Sequence, residues 1–348
     1  MKAWVLHGIN DLRFEEVNTP IIGENEVLLA VKAVGICGSD IPRVFHTGTY
    51  SYPLIPGHEF AGQVETAGAA VDAAWQGKRV GVFPLIPCYT CPPCQKERYE
   101  MCRHYSYLGS RRDGGFAEYV AVPEKNLIAL PEEVSFEEAA MLEPMSVAVH
   151  AMRKAAPTPE EYTVICGLGT IGLFLLMFLL ESGHRNILVI GNKEFQRRMA
   201  VKLGLPETSF CDGRTEDVER WLLERTSGKG ADVFFECVGR NETMVQAVGL
   251  TGPGGRIMLV GNPASDMTLP KVVYWKILRN QLTVFGTWNS SFTHSKEDDW
   301  YYVLERLGKG RIVPAEMITH RLPLAELDRG LAIMRDKLEE YGKVMAVL

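Results

Sequence analysis

The sequence lacks a long uninterrupted apolar run. The most apolar stretch, residues 164–180, contains three glycines and ends at Glu181, so it is too short and too interrupted for a bilayer-spanning helix. Residues 1–10 lack the apolar segment of a secretory signal. We therefore expect a chain that spans no membrane and works in the reducing cytoplasm.

The sequence also lacks an excess of positive charge. Its 37 Lys and Arg residues against 43 Asp and Glu residues give a net charge of −6, which argues against a nucleic-acid surface. Any anionic ligand must therefore meet a local cluster of Arg or Lys. With 46% hydrophobic residues among 348, the composition excludes a disordered or fibrous protein, and the length suits two domains or one large one.

Cysteines are unevenly placed along the chain. Half of the eight form a Cys-x2-Cys-x2-Cys-x7-Cys cluster: Cys88, Cys91, Cys94 and Cys102. In a reducing compartment such a cluster binds metal far more often than it forms disulfides, and four thiolates complete the tetrahedral shell of a structural zinc. The sequence therefore predicts a structural-zinc lobe at residues 85–105.

The pattern of secondary structure changes twice along the chain. Residues 1–145 contain short strands divided by Gly, Pro and Asn, which indicates a β-rich domain. Strands and helices then alternate, which implies a parallel sheet with right-handed crossovers. The tail returns to mixed character. We therefore predict a β-rich domain formed by residues 1–145 and 289–348, and an α/β domain formed by residues 146–288.

A Gly-x-Gly-x-x-Gly motif follows a predicted strand at 163–166 and opens a helix. Gly167 allows a tight turn, Gly169 lets the backbone approach a pyrophosphate, and Gly172 permits close packing of helix on strand. The free N–H groups of the helix start, which includes Thr170 and Ile171, attract phosphate. The motif therefore predicts a dinucleotide site.

The second strand of this domain bears on the choice of cofactor. The residue that holds the adenosine ribose is usually Asp or Glu in NAD-binding proteins, but here it is Asn192. Asn192 can hydrogen-bond a 2′-hydroxyl, whereas Lys193, Arg197 and Arg198 either attract a 2′-phosphate or form a solvated helix face. We expect NAD, with NADP left open. Further backbone contacts to the cofactor are expected at three other strand ends, at Val238, Gly261 and Thr287.

Three metal-ligand residues occur in distinctive local sequences. Cys37 lies between two glycines, His58 follows Pro-Gly, and Glu143 directly precedes a proline. One Cys, one His and one carboxylate suit an open zinc site that keeps a place for water or substrate. From the spacing alone, a buried structural histidine and a helix-end glutamate are the alternative.

Over nearly its whole length the chain resembles the zinc-dependent medium-chain alcohol and polyol dehydrogenases. The segments that carry this resemblance occur in that family's order and spacing, at residues 35–40, 56–60, 88–102, 113–119, 143–144 and 167–172. The resemblance implies a GroES-like β-rich catalytic domain joined to a Rossmann domain. It also implies an enzyme that uses NAD(P) and two zinc ions per chain, one catalytic and one structural.

The resemblance assigns roles to residues of the catalytic site. The ligands of the catalytic zinc would be Cys37, His58, Glu143 and, as in some polyol dehydrogenases, Glu59. Ser39 matches the position that relays the proton of the substrate hydroxyl, and Asp40 matches a carboxylate that orients the ligating histidine. This zinc is expected to face the cleft between the domains, where it can meet the nicotinamide.

The substrate is specified only as an alcohol or polyol, because a Lewis-acidic zinc and a nicotinamide together oxidise such compounds. Arg111 and Arg112 can clamp a sugar phosphate, which favours a hexitol phosphate oxidised to a ketose phosphate. Solvated or acid-paired arginines are the alternative. His46 is a further candidate for the substrate cleft.

Other functions stay open at this point. A general polyol dehydrogenase of the sorbitol or xylitol type and a threonine-type dehydrogenase share the same motifs, and a nucleotide-binding redox sensor would need no turnover. From the family we expect a homodimer or homotetramer, with Leu282–Gly286 as an apolar candidate edge strand.

Overall fold

The structure, a computed structural model, describes residues 1–337 and 339–348. The chain forms two compact units, of which unit 1 consists of Met1–Glu143 with Ser291–Leu348 and unit 2 of Pro144–Ser290. The boundaries predicted at 145/146 and 288/289 fall two residues away from these. Within the described residues, no helix combines the length and the apolar composition needed to cross a membrane.

The strands are numbered in chain order. They are β1 Lys2–Gly8, β2 Asp11–Glu16, β3 Glu26–Gly35, β4 Glu59–Ala67, β5 Arg79–Val82, β6 Leu85–Ile86, β7 Ser106–Tyr107, β8 Tyr119–Pro123, β9 Leu127–Ala129, β10 Thr163–Cys166, β11 Ile187–Gly191, β12 Phe210–Asp212, β13 Ala231–Glu236, β14 Thr251–Leu259, β15 Thr283–Gly286, β16 Ile318–Pro323 and β17 Lys343–Val347.

The helices are numbered in the same way. They are α1 Asp40–Pro42, α2 Phe136–Ala140, α3 Leu142–Ala155, α4 Thr170–Glu181, α5 Glu194–Lys202, α6 Val218–Arg225, α7 Asn241–Leu250, α8 Lys271–Arg279, α9 Asp299–Gly308 and α10 Leu327–Asp336. A π-helical turn, Arg43–Thr47, directly follows α1.

Unit 1 is built on a mostly antiparallel sheet with the strand order β16-β17-β3-β4-β5-β9, and β8 pairs with β3. The long strand β3 is its centre, because it pairs antiparallel with β4, β8 and β17. The apolar side chains of these strands are buried in one core together with those of α10. The pairing of β17 with β3 brings the carboxyl-terminal strand next to the residues that begin the candidate site.

Unit 2 contains a six-stranded sheet with the order β12-β11-β10-β13-β14-β15, and every pairing in it is parallel. Helices connect the successive strands, because parallel strands need long crossover connections. The order in which successive strands are added to the sheet reverses between β10 and β13. Open parallel sheets bind ligands at this point, beyond the carboxyl ends of their strands. The predicted combination of a β-rich domain with a Rossmann-like α/β domain is confirmed.

Candidate active site

A group of three potential metal ligands forms where β3 ends and β4 begins. Cys37 lies in the turn after β3, while His58 and Glu59 lie at the start of β4, and Gly35 is the register partner of Glu59. One ligand atom from each of Cys37, His58 and Glu59 lies within 4.8 Å of the others. Sulfur, nitrogen and carboxylate oxygen together suit Zn²⁺, so the donor set fits the predicted catalytic metal.

Ser39 and Asp40 surround the Cys37 side of this group. The Ser39 hydroxyl donates to Cys37 Sγ at 3.3 Å, and the Cys37 N–H donates to Asp40 Oδ2 at 2.9 Å. Asp40 Oδ1 accepts from Arg43 and lies 3.5 Å from His58 Nδ1. Burial alone raises the pKa of Asp40, but His58, Arg43 and the Cys37 N–H together hold it below the usual value. Asp40 therefore faces the ring that it was predicted to orient.

Glu59 forms a fully buried ion pair that sequence reasoning missed. Lys343, at the start of β17, donates to Glu59 Oε2 and to the Ile36 carbonyl at 3.0 Å, and only 1% of the Lys343 residue is exposed. A Cβ on Gly35 would lie 2.5 Å from Glu59 Oε2 and 2.6 Å from Lys343 Cε, so this pair requires glycine at position 35. Because 284 residues separate the partners, no local motif signals their contact.

Glu143, the carboxylate of the predicted trio, lies beside the group and not within it. It is buried in the first turn of α3, where one of its oxygens accepts from the Tyr107 hydroxyl at 3.2 Å. Burial raises the pKa of Glu143 to about 7; Glu59 adds to this rise, while His58, Lys343 and Tyr107 oppose it. Of the two carboxylates, the structure places Glu59 with Cys37 and His58.

The four clustered cysteines form a second ligand group. Their Sγ atoms are 3.5 Å apart for Cys91–Cys94, 3.9 Å for Cys91–Cys102 and 4.0 Å for Cys88–Cys94. These distances match the edge of about 3.8 Å expected for a tetrahedron of sulfurs with 2.3 Å zinc–sulfur bonds. They are far from a disulfide bond length, and all four thiols are free.

The thiols of this cluster differ widely in acidity. Hydrogen bonds from Thr90 are the main cause that lowers the pKa of Cys88 to about 5, whereas burial and then Cys91 raise the pKa of Cys94 to about 12. A bound divalent cation stabilises thiolates together at such a site. The cluster therefore fits the predicted structural zinc.

The residues predicted to contact the cofactor lie at one edge of the unit 2 sheet. Each follows the carboxyl end of a strand by one or two positions: Gly167 after β10, Asn192 after β11, Val238 after β13, Gly261 after β14 and Thr287 after β15. This edge is where parallel α/β sheets bind nucleotides.

The local geometry at this edge fits a dinucleotide. Gly167 has a φ of +96°, and a Cβ on Gly172 would lie 2.0 Å from the Gly167 carbonyl oxygen, so both positions require glycine. Gly169 is the N-cap of α4, and a Cβ there would meet open space. The Thr287 hydroxyl is buried and has no hydrogen-bond partner among the described residues. Open space at a helix N-terminus and an unpaired buried hydroxyl both suit a polar ligand.

The end of β11 carries the neutral residue that the sequence indicated. Asn192 is exposed, and its N–H donates to the Gln196 side chain. Arg197 on α5 extends over the ring of Phe210, and its Nε lies 3.8 Å from Glu207 Oε1. The Arg197 charge is thus partly balanced by an acid of the protein.

The two candidate substrate arginines have different surroundings. Arg112 forms an ion pair with Glu26. The exposed Arg111 guanidinium lies between two aromatic rings, 4.0 Å from the centroid of Tyr50 and 4.4 Å from that of Tyr105, and has no acidic partner among the described residues. His46 is exposed on the π-helical turn Arg43–Thr47. Of these two arginines, Arg111 is the one without an acidic partner in the part of the chain that the structure describes.

The fold and the two ligand groups define a zinc-dependent dehydrogenase with a nucleotide-binding domain. Residues 23–132 match the family described as alcohol dehydrogenase GroES-like domain, and residues 170–309 match the zinc-binding dehydrogenase family. The chain belongs to the zinc-binding medium-chain dehydrogenases, and it is an NAD(P)-dependent zinc alcohol/polyol dehydrogenase.

Individual relatives act on different polyols. Galactitol 1-phosphate 5-dehydrogenase of Escherichia coli is 33% identical over 307 residues, which cover 88% of each chain. Sorbitol dehydrogenase of Arabidopsis thaliana is 33% identical over 333 residues, 94% of this chain and 89% of that protein. The crystal structure of galactitol-1-phosphate dehydrogenase from Escherichia coli superposes with a TM-score of 0.92 at 32% identity and covers both chains completely.

Proposed function

We propose that the chain oxidises a secondary hydroxyl of a phosphorylated polyol, with galactitol 1-phosphate converted to tagatose 6-phosphate as the first candidate and NAD as the electron acceptor. The main support for a phosphate group on the substrate is Arg111, whose guanidinium lies between Tyr50 and Tyr105 without an acidic partner in the described part of the chain. Similarity to galactitol 1-phosphate 5-dehydrogenase supports the same substrate.

Arg111 is connected to the metal-ligand group through aromatic rings. The rings of Tyr105 and Tyr107 are 6.3 Å apart between centroids, and those of Tyr107 and His58 are 5.8 Å apart. We propose that a substrate bound between Arg111 and the metal-ligand group carries its anion away from the reacting hydroxyl. A hexitol phosphate has this form, whereas an unphosphorylated polyol leaves Arg111 without a partner.

The residues around Cys37 supply the remaining chemistry. We propose that Cys37 and His58 hold the catalytic zinc with a carboxylate; Glu59 is favoured over Glu143 because its oxygen lies within the ligand group. When bound, zinc supplies a Lewis acid that favours ionisation of the alcohol, and NAD supplies a hydride acceptor. The half-buried Ser39 hydroxyl, next to Cys37 Sγ, accepts the departing hydroxyl proton and passes it toward solvent.

The choice of NAD follows from the end of β11. Asn192 can bind a ribose 2′-hydroxyl, and Arg197 is already held near Glu207 and Phe210, which weakens its attraction for a 2′-phosphate. We expect kcat/KM for NAD to exceed that for NADP by about tenfold or more, a difference of roughly 1.4 kcal/mol. A preference for NADP would contradict this assignment.

Steady-state kinetics on galactitol 1-phosphate, galactitol and sorbitol test the substrate. The wild-type enzyme should favour the phosphate, and Arg111→Ala should lower kcat/KM for it by about 10- to 100-fold through loss of a charge-assisted hydrogen bond. Activity on unphosphorylated polyols should not change. Arg112→Ala is the matched control, because Arg112 is paired with Glu26. Equal wild-type activity on sorbitol and the phosphates would instead identify a general polyol dehydrogenase.

We further propose that two copies associate through β15. This strand is the outermost strand of the unit 2 sheet, and Val284 on it is 39% exposed. The adjacent helix α8 exposes Val272, Tyr274 and Trp275. An unprotected apolar edge strand favours pairing with another edge, and a two-fold axis allows β15 to pair with itself. A homotetramer would contain the same contact.

Analytical ultracentrifugation tests this association. The wild-type chain should sediment as a dimer or tetramer, and Val284→Lys should shift it toward the monomer, because the lysines would face each other across the contact. Val201→Lys, at a similarly exposed valine on α5, should leave the assembly unchanged. A wild-type monomer, or a Val284→Lys protein that sediments as wild type does, would refute the contact.

A further inference from the structure

The side chain of Glu236 is buried at the carboxyl end of β13. Only 3% of the residue is exposed, and in the parallel sheet Glu236 is the register partner of Cys166 on β10 and of Leu259 on β14. No Lys, Arg or His among the described residues forms an ion pair with it. A buried charge without a counter-ion is strongly unfavourable unless hydrogen bonds stabilise it.

The Glu236 carboxylate is stabilised by hydrogen-bond donors that follow it closely in sequence. Oε1 accepts from the N–H groups of Val238 at 2.8 Å and Gly239 at 2.9 Å and from the Thr243 hydroxyl at 2.7 Å. Thr243 lies in the first turn of α7, whose positive dipole end also favours the negative charge. The carboxylate thus holds segment 237–239 in a single conformation.

This segment has no room to adjust against its neighbours. A Cβ on Gly239 would lie 1.9 Å from the Asn262 carbonyl oxygen, and a Cβ on Gly261 would lie 2.1 Å from the Gly239 nitrogen. On the other side, a Cβ on Gly167 would lie 2.5 Å from Val238 Cγ2. The turns after β10, β13 and β14 are therefore in direct contact, and Glu236 fixes the middle one.

We propose that Glu236 is a positioning residue for the dinucleotide cofactor. Its carboxylate sets the position of Val238 and Gly239 between Gly167 and Gly261, so that the three turns form one rigid binding edge for the nicotinamide dinucleotide. This inference rests on the proposed use of the unit 2 edge for NAD. The identity of the substrate does not enter, because the expected effect is on cofactor binding.

Titration of the full-length protein with NADH, followed by fluorescence, tests the proposal. Glu236→Gln keeps the size of the side chain but removes the charge that the N–H groups of Val238 and Gly239 face. The Kd for NADH should therefore rise about 10- to 100-fold. KM for NAD should rise with it, whereas KM for the alcohol should stay as in the wild type. Thr243→Val should weaken NADH binding less, and Thr243→Ser, which keeps the hydroxyl, should restore it.

A matched control separates positioning from a general loss of stability. Asp232 lies on the same strand, near its amino end, and accepts the Tyr162 N–H at 2.8 Å; Asp232→Asn should leave Kd for NADH unchanged. Wild-type affinity in Glu236→Gln would overturn the proposal, and so would an equal loss in Asp232→Asn. A wild-type protein that binds no NADH would instead refute the proposed function.

Discussion

Replacing Cys37 with alanine is expected to abolish alcohol oxidation while the chain stays folded. The loss in kcat should be about 1,000-fold or more, because a Lewis acid contributes several kcal/mol to the transition state and a 1,000-fold change corresponds to roughly 4 kcal/mol. Only Cys37 supplies sulfur to the group that contains His58 and Glu59. Zinc analysis should therefore find about one ion per chain in the variant in place of two.

Cys211→Ala is the control for this experiment. Cys211 is buried in β12 and belongs to neither ligand group, so this variant should keep both zinc ions and wild-type turnover. Circular dichroism of both variants checks the fold. If Cys37→Ala kept full activity, with or without its second zinc ion, the group of Cys37, His58 and Glu59 would take no part in the reaction. Loss of the ion bound at Cys88, Cys91, Cys94 and Cys102 would indicate misfolding of unit 1.

The α/β unit was predictable because its signals are local. The Gly-x-Gly-x-x-Gly motif has its meaning only between a strand and a helix, and β10 and α4 occupy those places. The strand β12 has three residues, too few to show a period, and neither it nor the exposed helix α8 was predicted.

The candidate site was only partly predictable because its decisive contacts are not local. The motifs indicated Cys37 and His58, but spacing cannot decide between Glu59 and Glu143, since only the fold shows which carboxylate shares the group. Arg111 and Arg112 are sequence neighbours with opposite surroundings, because the turn directs one side chain to aromatic rings and the other to Glu26. Such differences depend on tertiary structure.

Lys343→Met should cause the largest loss of stability of any single substitution considered for this chain. It removes the only basic partner of Glu59 among the described residues, so in protein whose Cys37, His58 and Glu59 group holds no zinc, a carboxylate that is 1% exposed is left without a counter-ion. Breaking such a buried pair destabilises proteins by about 3–5 kcal/mol. For a unit of this size we expect the melting temperature to fall by roughly 10 °C, as measured by calorimetry on wild-type and variant protein that both lack zinc at this group.

The double variant Glu59→Gln, Lys343→Met tests the physical reason. With both charges removed, much of the lost stability should return, because the desolvation penalty of the unpaired carboxylate is gone. Lys309→Met, which breaks the exposed pair with Glu305, should leave the melting temperature unchanged. If Lys343→Met melts at the wild-type temperature, Glu59 does not need its counter-ion. If the double variant is less stable than Lys343→Met, the loss comes from packing of the lysine chain against Gly35 and Ile36, and the charge argument fails.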